Sequence, residues 1–129
     1  MSEQKRLRVL IIDDNAAQCL GLSELLHIDG MTTYTAFDGV RGLDMARALK
    51  PDAVMLDVNM PRMDGYQVCD ALRSSREFDE MAIIFHSASE NPCNLHGADS
   101  FLTYPLPISI LTDVLRACVR RRRPGQEAA

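Results

Sequence analysis

Short apolar runs and longer amphipathic segments alternate along the chain. The run from Leu7 to Ile12 is rich in β-branched residues and ends at an acidic turn, as is typical of a strand buried on both faces. Four later runs have a similar length and are also bounded by turn residues or acids. The predicted strands are Leu7–Ile12, Met31–Ala36, Ala53–Asp57, Ala82–Phe85 and Ser100–Tyr104.

The segments between these runs carry apolar residues at helical spacing, with capping residues before them and breakers after them. Four helices are predicted in this way: from Ala16, after the cap Asn15, to the stop at Asp29-Gly30; from Gly39 to Leu49; from Gly65 to Leu72; and from Ile108 to about Val119. Because strands alternate with helices, the sequence predicts an α/β domain with a parallel sheet covered on both faces.

Residues 88–100 interrupt this rhythm. The segment is close to the minimum of about 10–12 residues that a helical crossover between parallel strands needs, and it contains Asn91, Pro92, Asn94 and Gly97, which favour turns. The sequence therefore predicts a turn or a loop here, with the fourth crossover helix shortened or absent.

Length and composition set the class of protein. The 129 residues fit one domain, predicted as residues 1–123 with a frayed tail at 124–129 and no output domain. The net charge of −4 does not favour non-specific nucleic-acid binding. Four widely spaced cysteines suggest neither a disulfide framework nor a zinc site, and no stretch is apolar enough for a membrane span. We expect a cytoplasmic protein with reduced thiols.

Three acids end predicted strands. Asp13 and Asp14 follow the first strand and Asp57 closes the third, and such residues converge at the carboxyl edge of a parallel sheet. Carboxylates within about 5 Å of one another repel by roughly 3 kcal/mol per pair, so a cation is expected among them. Oxygen ligands favour Mg²⁺ or Mn²⁺. The alternative is that each acid simply caps the following helix.

The motifs around these acids resemble the receiver domains of two-component response regulators over nearly the whole chain. They are the Asp13-Asp14 pair, the stretch from Pro51 to Gly65 that includes Asp57-Val58-Asn59-Met60-Pro61, and Ser87-Ala88 after the fourth strand. The resemblance implies a flavodoxin-like, doubly wound five-stranded sheet of order 2-1-3-4-5. Gly65 also has a structural interpretation, because a glycine there permits a tight approach of the chain.

The resemblance also implies a role for each site residue. Asp57 would be the phospho-acceptor, Asp14 a direct metal ligand, Asp13 a metal-positioning acid and the backbone carbonyl of Asn59 a further ligand. Ser87 would hydrogen-bond the phosphoryl group. The implied partners are a histidine kinase or histidine phosphotransfer protein and an unknown downstream protein, and the domain would be a signalling module rather than an enzyme, with slow autodephosphorylation.

The chain departs from the family where a lysine usually precedes the proline after the fifth strand, because Tyr104 stands there before Pro105. The resemblance implies a cis peptide at this bond and a switch aromatic at Phe101. A neutral hydroxyl would supply roughly 1–2 kcal/mol less than a charged donor, so switching would be incomplete. This departure motivates an alternative, a pseudo-receiver scaffold that binds partners independently of phosphorylation.

Two other functions use a similar fold or chemistry, but their motifs are missing here. An aspartyl-phosphate phosphohydrolase would carry Asp-x-Asp, which Asp57-Val58-Asn59 lacks, and a flavin carrier would have a glycine- and hydroxyl-rich first loop. The run Arg120–Arg123 is interpreted as a solvated helix end, with contact to a nucleic acid, an acidic protein or a membrane surface as the alternative.

Overall fold

A computed structural model describes residues 6–87, 95–103 and 106–123 of the chain. They form a five-stranded, wholly parallel sheet in the order β2-β1-β3-β4-β5, which confirms the predicted topology. The strands are β1 Arg8–Ile12, β2 Thr32–Ala36, β3 Ala53–Asp57, β4 Ala82–Ser87 and β5 Ser100–Thr103.

The four predicted helices are present, together with a short 3₁₀ turn at Arg76–Phe78. They are α1 Ala16–Ile28, α2 Gly39–Leu49, α3 Gly65–Arg73 and α4 Ile108–Arg122. The side chain of Asn15 caps α1 by accepting the N–H of Gln18, as the sequence predicted. No helix in the described ranges is long and apolar enough to cross a membrane.

The segment between β4 and β5 is a turn where it is described. Residues 95–99 contain no helix, and both His96 and Gly97 have positive φ. This part of the chain agrees with the predicted loss of a crossover helix. Residues 88–94 lie outside the described ranges, as do Tyr104 and Pro105, so the implied cis peptide is untested.

Two hydrophobic clusters cover the two faces of the sheet. Alternate residues of β1 point to opposite faces, with Leu10 in the cluster under α2 and α3 and Ile11 in the cluster under α1 and α4. Strand β4 is buried along its whole length. The central strands β1 and β3 are therefore packed on both faces, and their carboxyl ends are held at fixed positions.

A partly buried ion-pair network, the Asp99 clamp (Asp99, Arg73 and Arg122), fixes the turn before β5. The carboxylate of Asp99 accepts from Arg73 at 3.1 Å, from Arg122 at 2.8 Å and from the backbone N–H of Ile83 at 2.9 Å. Both arginines also donate to the carbonyl oxygen of Gly97. The clamp thus ties the ends of α3 and α4 to the turn at residues 95–99.

The C-terminal arginines are less solvated than the sequence predicted. Arg122 belongs to the Asp99 clamp, and Arg123 donates to Asp52 Oδ1 at 2.8 Å, while Asp52 Oδ2 accepts the N–H of Arg8. The prediction of a solvated face is therefore wrong for these two arginines. The helix continues to Arg122 instead of ending near Val119, and the contacts of Arg122 hold its last turn against the fold.

Candidate functional site

The three acids singled out in the sequence meet at the carboxyl edge of the sheet. Asp13 and Asp14 follow β1, and Asp57 ends β3, which is the neighbouring strand. One carboxylate oxygen of each residue lies within 4.8 Å of the corresponding oxygens of the other two. Asp13 is buried, Asp57 is half-buried and Asp14 is exposed. The predicted convergence is confirmed, and the cluster opens to solvent on the side of Asp14.

The electrostatics of this cluster favour a proton or a cation. Burial and the negative charge of Asp13 raise the pKa of Asp57 from 3.8 to about 7. Burial also raises the pKa of Asp13, although the backbone N–H of Asn15 donates to it at 2.9 Å and partly offsets the effect. All three side chains offer oxygen ligands, which suit a hard divalent ion. The donor set therefore fits the predicted metal.

The loop after β3 places polar groups around Asp57. The backbone N–H of Asn59 donates to Asp57 Oδ1 at 3.3 Å, so the Asn59 backbone lies next to the acceptor. The side-chain amide of Asn59 donates to Ser87 Oγ at 3.4 Å, and Ser87 ends β4 beside β3. The structure thus brings Ser87 and Asn59 to the site. The contact between their side chains was not predicted, because spacing along the chain does not reveal it.

Gly65 is the first residue of α3 and lies against the end of strand β3, which carries Asp57. A Cβ atom at this position would clash with the carbonyl oxygen of Asp57, and the Gly65 N–H donates to the carbonyl of Val58 at 2.9 Å. Its predicted role in a tight approach is confirmed. The neighbouring Asp64 forms a capping box with Gln67, so the loop ends in a firmly fixed helix start.

His86 is a neighbour of the site that the sequence did not reveal. It is the partner of Asp57 in the β3–β4 register and is almost fully buried. Burial lowers the pKa of His86 to about 4, so the imidazole is neutral at physiological pH. It therefore supplies no positive charge to the carboxylates. In the sequence, His86 stands at the end of an apolar run, and this position favours a packing role for the side chain.

Comparison with known proteins agrees with this geometry. Residues 9–116 match the model of the response regulator receiver domain. The chain belongs to this family. Receiver domains are signalling domains that accept a phosphoryl group on an aspartate, and they interact with histidine kinases or phosphotransfer proteins.

Relatives of this receiver include response regulator MprA from two mycobacteria. The protein of Mycobacterium avium is 39% identical over 127 residues, a match that covers 95% of this chain and 55% of the relative. The protein of Mycobacterium tuberculosis is 38% identical, and 54% of its length is covered. The receiver therefore spans about half the length of these curated relatives.

Solved structures share the fold of the receiver. Chemotaxis protein CheY4 of Vibrio cholerae superposes with a TM-score of 0.81 at 26% identity, covering 88% of this chain and 99% of that protein. A CheY-like receiver from Methanospirillum hungatei reaches 0.84 at 19% identity, covering 94% and 99% respectively, and this likeness concerns the fold alone.

Proposed function

We propose that this receiver takes a phosphoryl group onto Asp57 from the phosphohistidine of a histidine kinase or phosphotransfer protein, and signals by binding another protein. The observation that carries the proposal is the convergence of Asp13, Asp14 and Asp57 at one edge of the sheet, with Ser87 on the adjoining strand. An isolated helix-capping role for each acid would not require three carboxylates to share one pocket.

The proposed transfer uses the ionised carboxylate of Asp57 as the nucleophile. One of its oxygens forms a bond to phosphorus as the bond from phosphorus to the donor imidazole breaks, and the imidazole nitrogen keeps the electron pair and then takes a proton. With the pKa of Asp57 at about 7, a proton competes for this carboxylate near neutral pH. The Ser87 hydroxyl is assigned the role of donating a hydrogen bond to a phosphoryl oxygen.

The proposed metal ligands are carboxylates of Asp13, Asp14 and Asp57 and the backbone carbonyl of Asn59. A bound Mg²⁺ or Mn²⁺ would neutralise the charge of the incoming phosphoryl group and favour the ionised form of Asp57. Within the described residues this acidic cluster is the group of potential ligands that fits a hard ion.

The second candidate, a pseudo-receiver scaffold, rests on Tyr104 at the position where the family carries lysine. In that case the acidic pocket would persist while partner binding would not depend on phosphorylation. Slow autodephosphorylation is proposed as a further property of this receiver. It is measured as the rate at which the phosphorylated protein loses its phosphoryl adduct.

The deciding experiment is the intact mass of the protein after incubation with acetyl phosphate, with Mg²⁺ or with a chelator. We expect one phosphoryl adduct that requires Mg²⁺ in the wild type and is absent in Asp57→Asn. Asp44→Asn, which changes an exposed acid of α2, is the matched control and should still be phosphorylated. Absence of an adduct with acetyl phosphate and with a phosphohistidine donor would favour the scaffold.

An apolar groove along helix α1 is the proposed contact for the phosphodonor protein. Helix α1 starts directly after the acidic pair, and Leu25, which is 50% exposed, faces Leu106 and Ile108 across a groove of about 400 Å³. A donor docked in this groove would lie along the helix that begins two residues after Asp14.

Leu25→Glu is therefore expected to slow transfer from a phosphohistidine protein about tenfold or more, since it buries a charge in the contact. Phosphorylation by acetyl phosphate, which needs no docking surface, should keep its wild-type rate. Val40→Glu, an equally apolar-to-acidic change at an exposed position of α2, is the control. Equal slowing by both variants would contradict the assignment of the groove.

A further inference from the structure

We propose that a cationic cleft on the edge of the sheet opposite Asp57 binds a small phosphate-bearing molecule with an apolar body. The cleft lies between the residues before β1, the turn after α1 and the last turns of α4, and its volume is about 540 Å³. That volume is within the range of small-molecule sites. Because Arg6 and Leu7 precede β1 whereas Asp13 follows it, the cleft and the acidic pocket lie at opposite ends of that strand.

The charges in this cleft are unbalanced. Among the described residues, Arg6, Arg116 and Arg120 line it against one acid, Asp29, which gives these four side chains a summed charge of +2 on a chain whose net charge is −4. Arg116 already donates to the Asp29 carboxylate at 3.2 Å. The side chains of Arg6 and Arg120 form no hydrogen bond or ion pair with any residue in the described ranges. Two guanidinium groups are thus available to one anion.

The arginines at the end of α4 have different surroundings. Arg122 and Arg123 are paired with Asp99 and Asp52, and Arg121 lies within 3.3 Å of the Cys118 sulfur. Arg120 is exposed and lines the cleft, one turn after Arg116, although like charges at this helical spacing repel. Arg6 approaches from a different element. Unpaired guanidinium groups that converge from two parts of the chain suit a multidentate, tetrahedral anion such as phosphate.

The lining of the cleft also has an apolar part. Leu7 is half-buried and Val119 keeps 8% of its surface exposed, so these two residues offer the apolar surface, while Met31 lies fully buried beneath them. An inorganic anion would leave this surface uncovered. A ligand that combines a phosphate dianion with an aromatic or aliphatic group would match both the cations and the apolar part, which is why we favour an organic phosphate.

The test is an NMR titration of the ¹⁵N-labelled 129-residue chain with phenyl phosphate, inorganic phosphate and phenol, in the presence of a chelator. We expect phenyl phosphate to shift the amides of residues 29–31 and 116–120 saturably and to bind several-fold more tightly than inorganic phosphate, whereas phenol should not bind. Asp57→Asn should bind phenyl phosphate like the wild type, because the two sites are separate.

Arg120→Gln and, independently, Arg6→Gln should each weaken the binding of phenyl phosphate about tenfold. The matched control Arg121→Gln removes an equal charge from the same helix outside the cleft and should change the affinity less than about twofold. Equal loss in all three variants, shifts confined to other residues or no saturable binding would overturn the proposal. Tighter binding of a glutamate-rich peptide than of phenyl phosphate would also overturn it, in favour of a protein partner.

Discussion

Asp99→Asn is expected to lower the free energy of unfolding by about 3 kcal/mol, because it leaves Arg73 and Arg122 partly buried without their anion. The side chains of Asp99 and Arg73 are only 15% and 14% exposed, so solvent compensates little for the lost pair. Asparagine keeps the shape of the residue and one acceptor for the Ile83 N–H. The expected loss therefore reports charge rather than packing.

Urea unfolding at pH 7 measures this effect. The midpoint should fall by about 1.5 M with an unchanged slope. Asp44→Asn is the control, because Asp44 forms an exposed pair with Arg47 at 3.9 Å, and it should cost less than about 0.5 kcal/mol. If the two variants lose similar stability, the Asp99 clamp contributes no more than a surface ion pair.

Asp57→Asn is expected to have the opposite effect on the metal-free protein, raising the free energy of unfolding at pH 8 by roughly 1–3 kcal/mol. The cause is the repulsion and burial that raise the pKa of Asp57 to about 7. Between pH 3.8 and 7 the folded protein holds a proton on Asp57 that the unfolded chain has released. The stability of the wild type should therefore decrease as the pH rises through this window.

His86 opposes this trend and must be separated from it. Its pKa falls to about 4 on folding, so the unfolded chain gains a proton below pH 6.5 and the folded protein loses stability as the pH falls. The difference between Asp57→Asn and the wild type removes the contribution of His86, which both proteins share. This difference should be larger at pH 8 than at pH 5.

Thermal unfolding at several pH values, with a chelator and then with Mg²⁺, checks the prediction for Asp57. Mg²⁺ should stabilise the wild type more than Asp57→Asn, because binding to the folded state alone adds stability. Asp113→Asn, at an exposed position of α4, should follow the wild type throughout. A pH-independent difference between Asp57→Asn and the wild type would show that the repulsion is not what destabilises the pocket.

The order of elements and the acidic cluster were predictable because both follow from local patterns. Apolar runs ending in Asp13 and Asp57 indicate parallel strands whose ends converge, and Asn15 and Gly65 have the backbone roles that their residue types suggest. The family resemblance added the strand order and the role of Ser87. The individual metal-ligand roles of Asp13, Asp14 and Asn59 remain predictions.

The ion pairs around the C-terminal arginines could not be predicted from the sequence. Arg122 and Asp99 are 23 residues apart, and Arg123 and Asp52 are 71 apart, so no helical or strand period connects them. In the sequence, a run of arginines at the end of a helix is interpreted as a solvated helix end. Only the tertiary fold reveals the acids that pair with it. His86 was missed for a related reason, since its neighbour Asp57 lies on another strand.

The carboxylate of Asp52 has a consequence for how the domain can be joined to other proteins. Because it binds the Arg8 backbone and the Arg123 side chain together, the chain enters and leaves the fold at one place. Only a short linker would be needed to join these two ends of the fold. The domain is thus suited to circular permutation, or to insertion as a cassette into a surface loop of a host protein without stretching its fold.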